Sequence, residues 1–155
     1  MEIQARSFIW GRIVSRVAAF VSTEVAGIIV ANPSTWVLPS TTIAAPYGLG
    51  GTEAATDDAL RAYLARPVTV LVGTYDVGGA ELAMQSEPMA QGTNRYMRGM
   101  RTFEMAQDVA RSHRWPFGRT LGEVPGVGHS ATDMFNSGQV VAAVQRTLTV
   151  ATRND

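Results

Sequence analysis

The sequence predicts an α/β protein: a parallel sheet of about four strands with flanking helices. Three observations carry this. Residues 25–31 (VAGIIVA) and 68–73 (VTVLVG) are apolar almost without interruption, the composition of strands buried on both faces. Other segments repeat apolar residues at spacings of three and four, the period of a helix packed on one side. The two kinds of segment alternate along the chain, which is the order that right-handed crossovers between parallel strands produce.

The first strand is expected at residues 7–11 (SFIWG), an apolar run closed by glycine. Ile13, Val14, Val17, Ala18, Phe20 and Val21 then recur at helical spacing. Residues 25–31 form the second strand, ended by Asn32-Pro33-Ser34, and the Pro- and Gly-rich stretch 33–55 reads as a long loop. Thr56 is a helix cap with Asp57 and Asp58 in the first turn, where carboxylates suit the helix dipole. Leu60, Tyr63 and Leu64 form that helix's apolar stripe, and Pro67 ends it. Residues 68–73 are the third strand, and a polar loop over 75–91 follows. The longest helix is expected over residues 94–113, with Met97, Met100, Phe103, Ala106 and Ala110 facing inward. A short strand at 119–124, the turn Pro125-Gly126-Val127-Gly128 and a closing helix over 140–148, capped by Asn136 or Ser137, complete the pattern.

Composition narrows the function classes. The 155 residues carry 13 basic side chains, all arginine, and 13 acidic ones, for a formal net charge of zero. With 46% apolar and 17% charged residues, the chain has neither the low hydrophobicity nor the net charge of a disordered segment. There is no basic excess to recruit nucleic acid. The absence of cysteine rules out disulfides, thiolate metal sites and a cysteine nucleophile. The longest weakly polar run, residues 13–32, is broken by Arg16, Ser22, Thr23 and Glu24, so no membrane-spanning helix is expected. The first residues, MEIQARSFIWGR, lack the pattern of a signal peptide, which makes a cytoplasmic location the expectation. The two histidines lie far apart with no ligand-type spacing, so neither a metal site nor a cofactor is expected.

Chemistry in open parallel sheets collects at the carboxyl ends of the strands. Asp76 follows the strand at 68–73, and His129 follows the strand at 119–124 in Val124-Pro125-Gly126-Val127-Gly128-His129. An aspartate and then a histidine at such positions can form the acid and base of a hydrolytic triad, with the imidazole taking a proton and the carboxylate fixing its tautomer. Taken singly, each has a plainer reading: a turn aspartate capping its own backbone, and a surface histidine in a Gly-rich loop. His113, near a helix end, reads as a cation favoured by the dipole.

Several stretches together resemble a known family. They are Phe8-Ile9-Trp10-Gly11, the helix IVSRVAAF, Val30-Ala31-Asn32-Pro33 with Trp36, and Pro46-Tyr47-Gly48-Leu49-Gly50. Met89-Ala90-Gln91-Gly92 with Arg95 and Arg98-Gly99, and Pro125-Gly126-Val127-Gly128-His129, complete the set. The set resembles the C-terminal half of a bacterial α/β-hydrolase of the esterase or polyester-depolymerase type. The likeness runs over residues 8–144 and implies a partial α/β-hydrolase fold in one truncated domain, 1–155. It implies Asp76 as triad acid and His129 as triad base, in the chain order of the fold. It also implies Trp36 and Tyr47 as candidate walls of the substrate cleft, with packing as their plainer role.

The resemblance breaks at the nucleophile. The family's Gly-x-Ser-x-Gly elbow would fall at Trp10-Gly11-Arg12-Ile13-Val14-Ser15, and no such motif occurs anywhere in the chain. Ser15 is the nearest serine and a poor candidate, since a helical position lacks the exposed, strained geometry of an elbow. The expectation is therefore an esterase-like protein that is weak or inactive alone, acting on a small ester-like substrate if at all. The alternatives are a non-catalytic binding module on the same fold and a fragment without function of its own. A sheet edge left open near Phe8, with Ile9 and Trp10 exposed, would recruit a second copy of the chain.

Overall fold

The computed structural model describes residues 9–21 and 25–151. Within them the chain runs α1 (Ile9–Phe20), β1 (Ile28–Ala31), α2 (Asp57–Ala65), β2 (Val68–Gly73), α3 (Ser86–Gln91), α4 (Arg95–His113), β3 (Thr120–Val124), α5 (Ala131–Phe135) and α6 (Gly138–Ala151). The strands form a parallel sheet in the order β1-β2-β3, with Ile28 opposite Val68 and Thr69 opposite Thr120. The Thr69 and Thr120 hydroxyls meet at 3.1 Å across that register.

Alternation along the strands divides the core into two layers. Val30, Val68, Val70 and Val72 face a cluster that includes Ala18 and Ala19 of α1, Leu60, Tyr63 and Leu64 of α2, and Ala106 and Ala110 of α4. Leu71 and Val124 face the opposite side, against Met134 and Val140, with Ile29, Ala31, Val127 and Val144 at its margin. All six residues of β2 are buried, as a central parallel strand requires. β1 is shorter than the apolar run that predicted it and only Val30 is fully buried, because among the described residues it has a neighbour on one side only.

The strand expected at residues 7–11 is not one over its described part. Ile9, Trp10 and Gly11 are the first residues of α1, and three strands are described rather than four. The reason lies in the pattern: Ile9, Ile13 and Val17 follow one another every four residues, and so do Trp10, Val14 and Ala18. The run SFIWG is therefore continuous with the helical stripe behind it. The open edge expected near Phe8 lies outside the described residues, as do the side chains of Ile9 and Trp10.

Two short helices, α3 and α5, sit where loop was expected. In α3, Pro88 falls in the first turn, where a missing backbone N–H is harmless. α5 is capped by the Ser130 hydroxyl, which accepts from the Asp133 N–H. The expected cap holds at Thr56, which accepts from Ala59 N–H, and α4 is capped by Asn94, which accepts from Met97 N–H. The Ser137 hydroxyl, at the start of α6, accepts from Val140 N–H.

On α4 the expected stripe holds at Ala106 and Ala110, which are buried in the core, and at Met100 and Phe103, which pack against it, while Met97 is half-buried. The buried face is wider than that stripe and also carries Arg95, Arg98, Gly99 and Thr102. At Gly99 a Cβ would lie 2.3 Å from Val72 Cγ1, so the helix approaches β2 closely along its smallest residue. Tyr96, on the outer side, donates its hydroxyl proton to Glu123 at 2.7 Å. That bond, lost when the phenol ionises, raises the Tyr96 pKa.

Arginine side chains finish exposed and buried backbone alike. Arg66 donates to the carbonyls of Val17, Ala18 and Val21 at the end of α1, where orphan acceptors and the helix dipole both favour a cation. Arg119 lies with its guanidinium 4.0 Å from the centre of the Tyr63 ring. Among the described residues, no helix is long and apolar enough to cross a membrane.

Candidate active site

The carboxyl ends of the three strands converge through short turns. Leaving β2, the chain passes Thr74 and Tyr75 and turns at Asp76, whose N–H donates back to the Gly73 carbonyl. Leaving β3, it passes Pro125 and Gly126, the latter at φ +74, a left-handed conformation that glycine adopts without strain. The two turns are fastened to each other. Thr74 N–H donates to Val124, Tyr75 N–H to Val127 at 2.9 Å, and Gly126 N–H to the Thr74 hydroxyl. Gly73 makes this approach possible, since a Cβ there would stand 2.3 Å from the Val127 carbonyl oxygen. Gly73→Ala is expected to destabilise the protein by about 1–3 kcal/mol, the usual range for forcing atoms into a packed site. Urea unfolding measures it, and an unchanged midpoint would show that the turns separate freely.

The fastened turns bring Asp76 and His129 together. His129 Nδ1 lies 3.0 Å from Asp76 Oδ2. The carboxylate is 1% exposed and the ring 22% exposed, so the acid is sealed behind the base, whose ring is partly exposed while its Nε2 atom is itself buried. The other carboxylate oxygen, Oδ1, faces Arg95 Nη1 at 3.6 Å. Arg95, in the first turn of α4, also donates through Nη2 to the Ala80 carbonyl at 2.8 Å, and Tyr96 N–H donates to the Asp76 carbonyl. A buried carboxylate so placed is charge-compensated from behind and directs its remaining oxygen at the imidazole.

A second polar layer underlies this pair. Arg98 is fully buried and donates to three main-chain carbonyls: Nε to Gly92 at 2.7 Å, Nη2 to Ala83 at 2.8 Å, and Nη1 to Ser34. Burial first, then the nearby Arg95 charge, lower its pKa. Gln91 pairs its amide with the backbone of Trp36 in both directions, accepting from N–H and donating to C=O at 2.9 Å each. Asn32, at the end of β1, accepts from Gly73 N–H at 2.9 Å and donates to the Gly128 carbonyl at 3.4 Å. These three side chains hold segment 33–55, the loop over 77–94 and the strand ends as one frame.

The remaining predicted residues fall elsewhere. Ser15 is 3% exposed inside α1, a helix that packs on β1, two strands away from the one that leads to His129. Trp36 is buried in the core with its ring against α4 near Gly99, so its surroundings are those of a packing residue. Tyr47 is half-buried and its backbone pairs with Leu38. His113 stacks on Trp115 at 4.1 Å. Among the described residues, no group of three or more histidine, aspartate or glutamate side chains is placed to hold a metal ion. Asn32, Gln91, Arg95 and Arg98 had appeared in the sequence only as parts of motifs. Their partners are mostly backbone groups remote in sequence, which no local pattern announces.

No protein-family model matches the sequence, and no curated protein matches it significantly. Solved structures do. The poly(3-hydroxybutyrate) depolymerase LpqC from Bordetella parapertussis superposes with a TM-score of 0.76 at 32% identity, over 87% of this chain. The chain has part of an α/β-hydrolase fold. A poly(aspartic acid) hydrolase from Sphingomonas sp. KT-1 shares the same partial hydrolase fold, with a TM-score of 0.73 at 30% identity over 86% of this chain. The chain spans about half the length of either, 46% of the first and 50% of the second. Within the hydrolase fold, strand ends are where reacting groups are carried, and that is where Asp76 and His129 meet.

Proposed function

We propose that the chain supplies the acid and base of an acyl hydrolase acting on esters. The observation that carries this reading is the 3.0 Å contact between His129 Nδ1 and the sealed Asp76 carboxylate at the ends of adjacent strands. In that arrangement the carboxylate holds the Nδ1–H tautomer, and Nε2 takes the proton of an attacking hydroxyl. The imidazolium formed is stabilised by Asp76 and returns the proton to the departing alkoxide. The fold neighbours named as a poly(3-hydroxybutyrate) depolymerase and a poly(aspartic acid) hydrolase support acyl-bond cleavage as the class. Tyr75 and Val77, 71% and 58% exposed on either side of Asp76, give the entrance an apolar lip suited to a hydrophobic acyl or alcohol group.

The nucleophile sets the expected rate. No Gly-x-Ser-x-Gly occurs in the sequence, and Ser15 is buried in a helix. The chain alone is therefore read as a slow hydrolase of activated esters, with a non-catalytic ester-binding module as the second reading favoured by the same two facts. A serine-reactive fluorophosphonate separates them. Substoichiometric labelling is expected. Stoichiometric labelling that disappears in Ser15→Ala would overturn the assignment of Ser15 as a poor nucleophile. Ester turnover absent from the parent chain, with an ester analogue still bound, would favour the binding module.

A further inference from the structure

The motif Asn32-Pro33 was singled out in the sequence, and nothing in the acid–base reading uses it. We infer that Asn32 is a positioning residue for His129: its single amide cross-links the turn that carries the acid to the turn that carries the base. The inference rests on the hydrolase reading for its purpose, but its geometry stands alone.

Three observations support it. Asn32 is buried at the end of β1 and sits at φ +42, the left-handed region that asparagine tolerates better than other residues with a Cβ. Its backbone N–H completes the sheet by donating to the Leu71 carbonyl. That conformation turns the side chain across the strand ends. Oδ1 accepts from Gly73 N–H, three residues before Asp76, and Nδ2 donates to the carbonyl of Gly128, the residue before His129. A primary amide is the group that fits, because one end must accept and the other must donate. The turns already touch through backbone bonds around Thr74, Tyr75 and Val127, but those bonds stop at Val127. The Gly128 carbonyl also accepts from Ser130 N–H within its own turn, but the Asn32 amide is what ties this peptide, which enters His129, back to β2, and so it helps to set the direction from which the ring meets Asp76.

Two variants separate positioning from simple stabilisation. Asn32→Gly keeps the left-handed backbone and removes both bonds. Asn32→Asp keeps the acceptor for Gly73 N–H but sets a carboxylate oxygen against the Gly128 carbonyl, with no proton to donate. The chain has two histidines, so imidazole nitrogen–proton correlation spectra of ¹⁵N-labelled protein report His129 directly, with His113 as an internal control. In both variants the Nδ1–H tautomer fraction of His129 is expected to fall by roughly half or more, because the partner that selects that tautomer is no longer aligned. The His113 signals should not move, and unfolding should remain cooperative. A purely structural residue would lower the melting temperature and leave the His129 tautomer as in the parent, and that result in both variants overturns the inference. If the parent hydrolyses no ester yet shows the tautomer shift on substitution, the hydrolase reading fails and the positioning role stands.

Discussion

Replacing His129 by alanine is expected to reduce hydrolysis of an activated aryl ester by roughly 10²–10⁴-fold, the usual share of a positioned general base, or to the uncatalysed background if that is reached first. Among the described residues at these strand ends, His129 is the partly exposed ring that is backed by a buried carboxylate. Its two described ionisable neighbours do not replace it, since Asp76 is sealed behind it and the Arg95 side chain is buried on the far side of the carboxylate. The substitution should leave the fold intact. His129 lies in a half-exposed turn already held by Tyr75, Val127 and Asn32. Asp76→Asn is the informative companion. It retains the shape but lets the amide offer a donor to Nδ1, which favours the wrong tautomer. It also removes the negative charge that faces Arg95 Nη1 at 3.6 Å, so a loss of stability should accompany the loss of rate. Turnover that survives His129→Ala unchanged would mean that Asp76 and His129 form a structural pair and that any hydrolysis arises elsewhere.

The pair was legible before the structure because both members terminate strongly patterned strands. VTVLVG is apolar at every position but one, and residues 125–128 form a proline- and glycine-bearing turn, so the residues following them fall at strand ends on topology alone. The parallel sheet with flanking helices follows from the alternation of strand and helix segments along the chain. Other features were not legible, for reasons of length and partner. α3 and α5 span six and five residues, too few for a period of 3.6 to show. Residues 9–11 satisfied both a strand and a helix pattern, and the helical stripe running on to Ala18 decided the matter. The apolar stripe of α4 gives only part of its buried face: two arginines are buried beside it, next to a glycine that admits a close contact with β2. An arginine that binds carbonyls leaves no trace in hydropathy.

Arg98→Ala is expected to be the most destabilising single substitution, lowering stability by about 3–5 kcal/mol against the 5–15 kcal/mol typical of a whole domain. The guanidinium satisfies carbonyls at Ser34, Ala83 and Gly92, which belong to the segments leaving β1, preceding α3 and preceding α4. Truncation orphans all three acceptors at once, and each unsatisfied buried acceptor costs about 1–3 kcal/mol unless water enters. It also opens a void the size of a long side chain in a packed layer. Relief of the repulsion from Arg95 offsets only part of this. Arg98→Lys is a sharper test than alanine. It keeps the charge and most of the volume, but an ammonium is a compact donor that cannot span carbonyls approached by three separate nitrogens of a planar fork. Lysine should therefore recover less than half of the lost stability in urea unfolding. If instead lysine restores the parent midpoint, the charge rather than the fork holds the loops. If alanine shifts the midpoint by under about 1 kcal/mol, the range of ordinary surface changes, then the loops over 33–55 and 77–94 are held without Arg98. Either outcome would also loosen the structural case for the site, because the chain between Ala83 and Gly92 leads directly into the turn of α4 that sets Arg95 against Asp76.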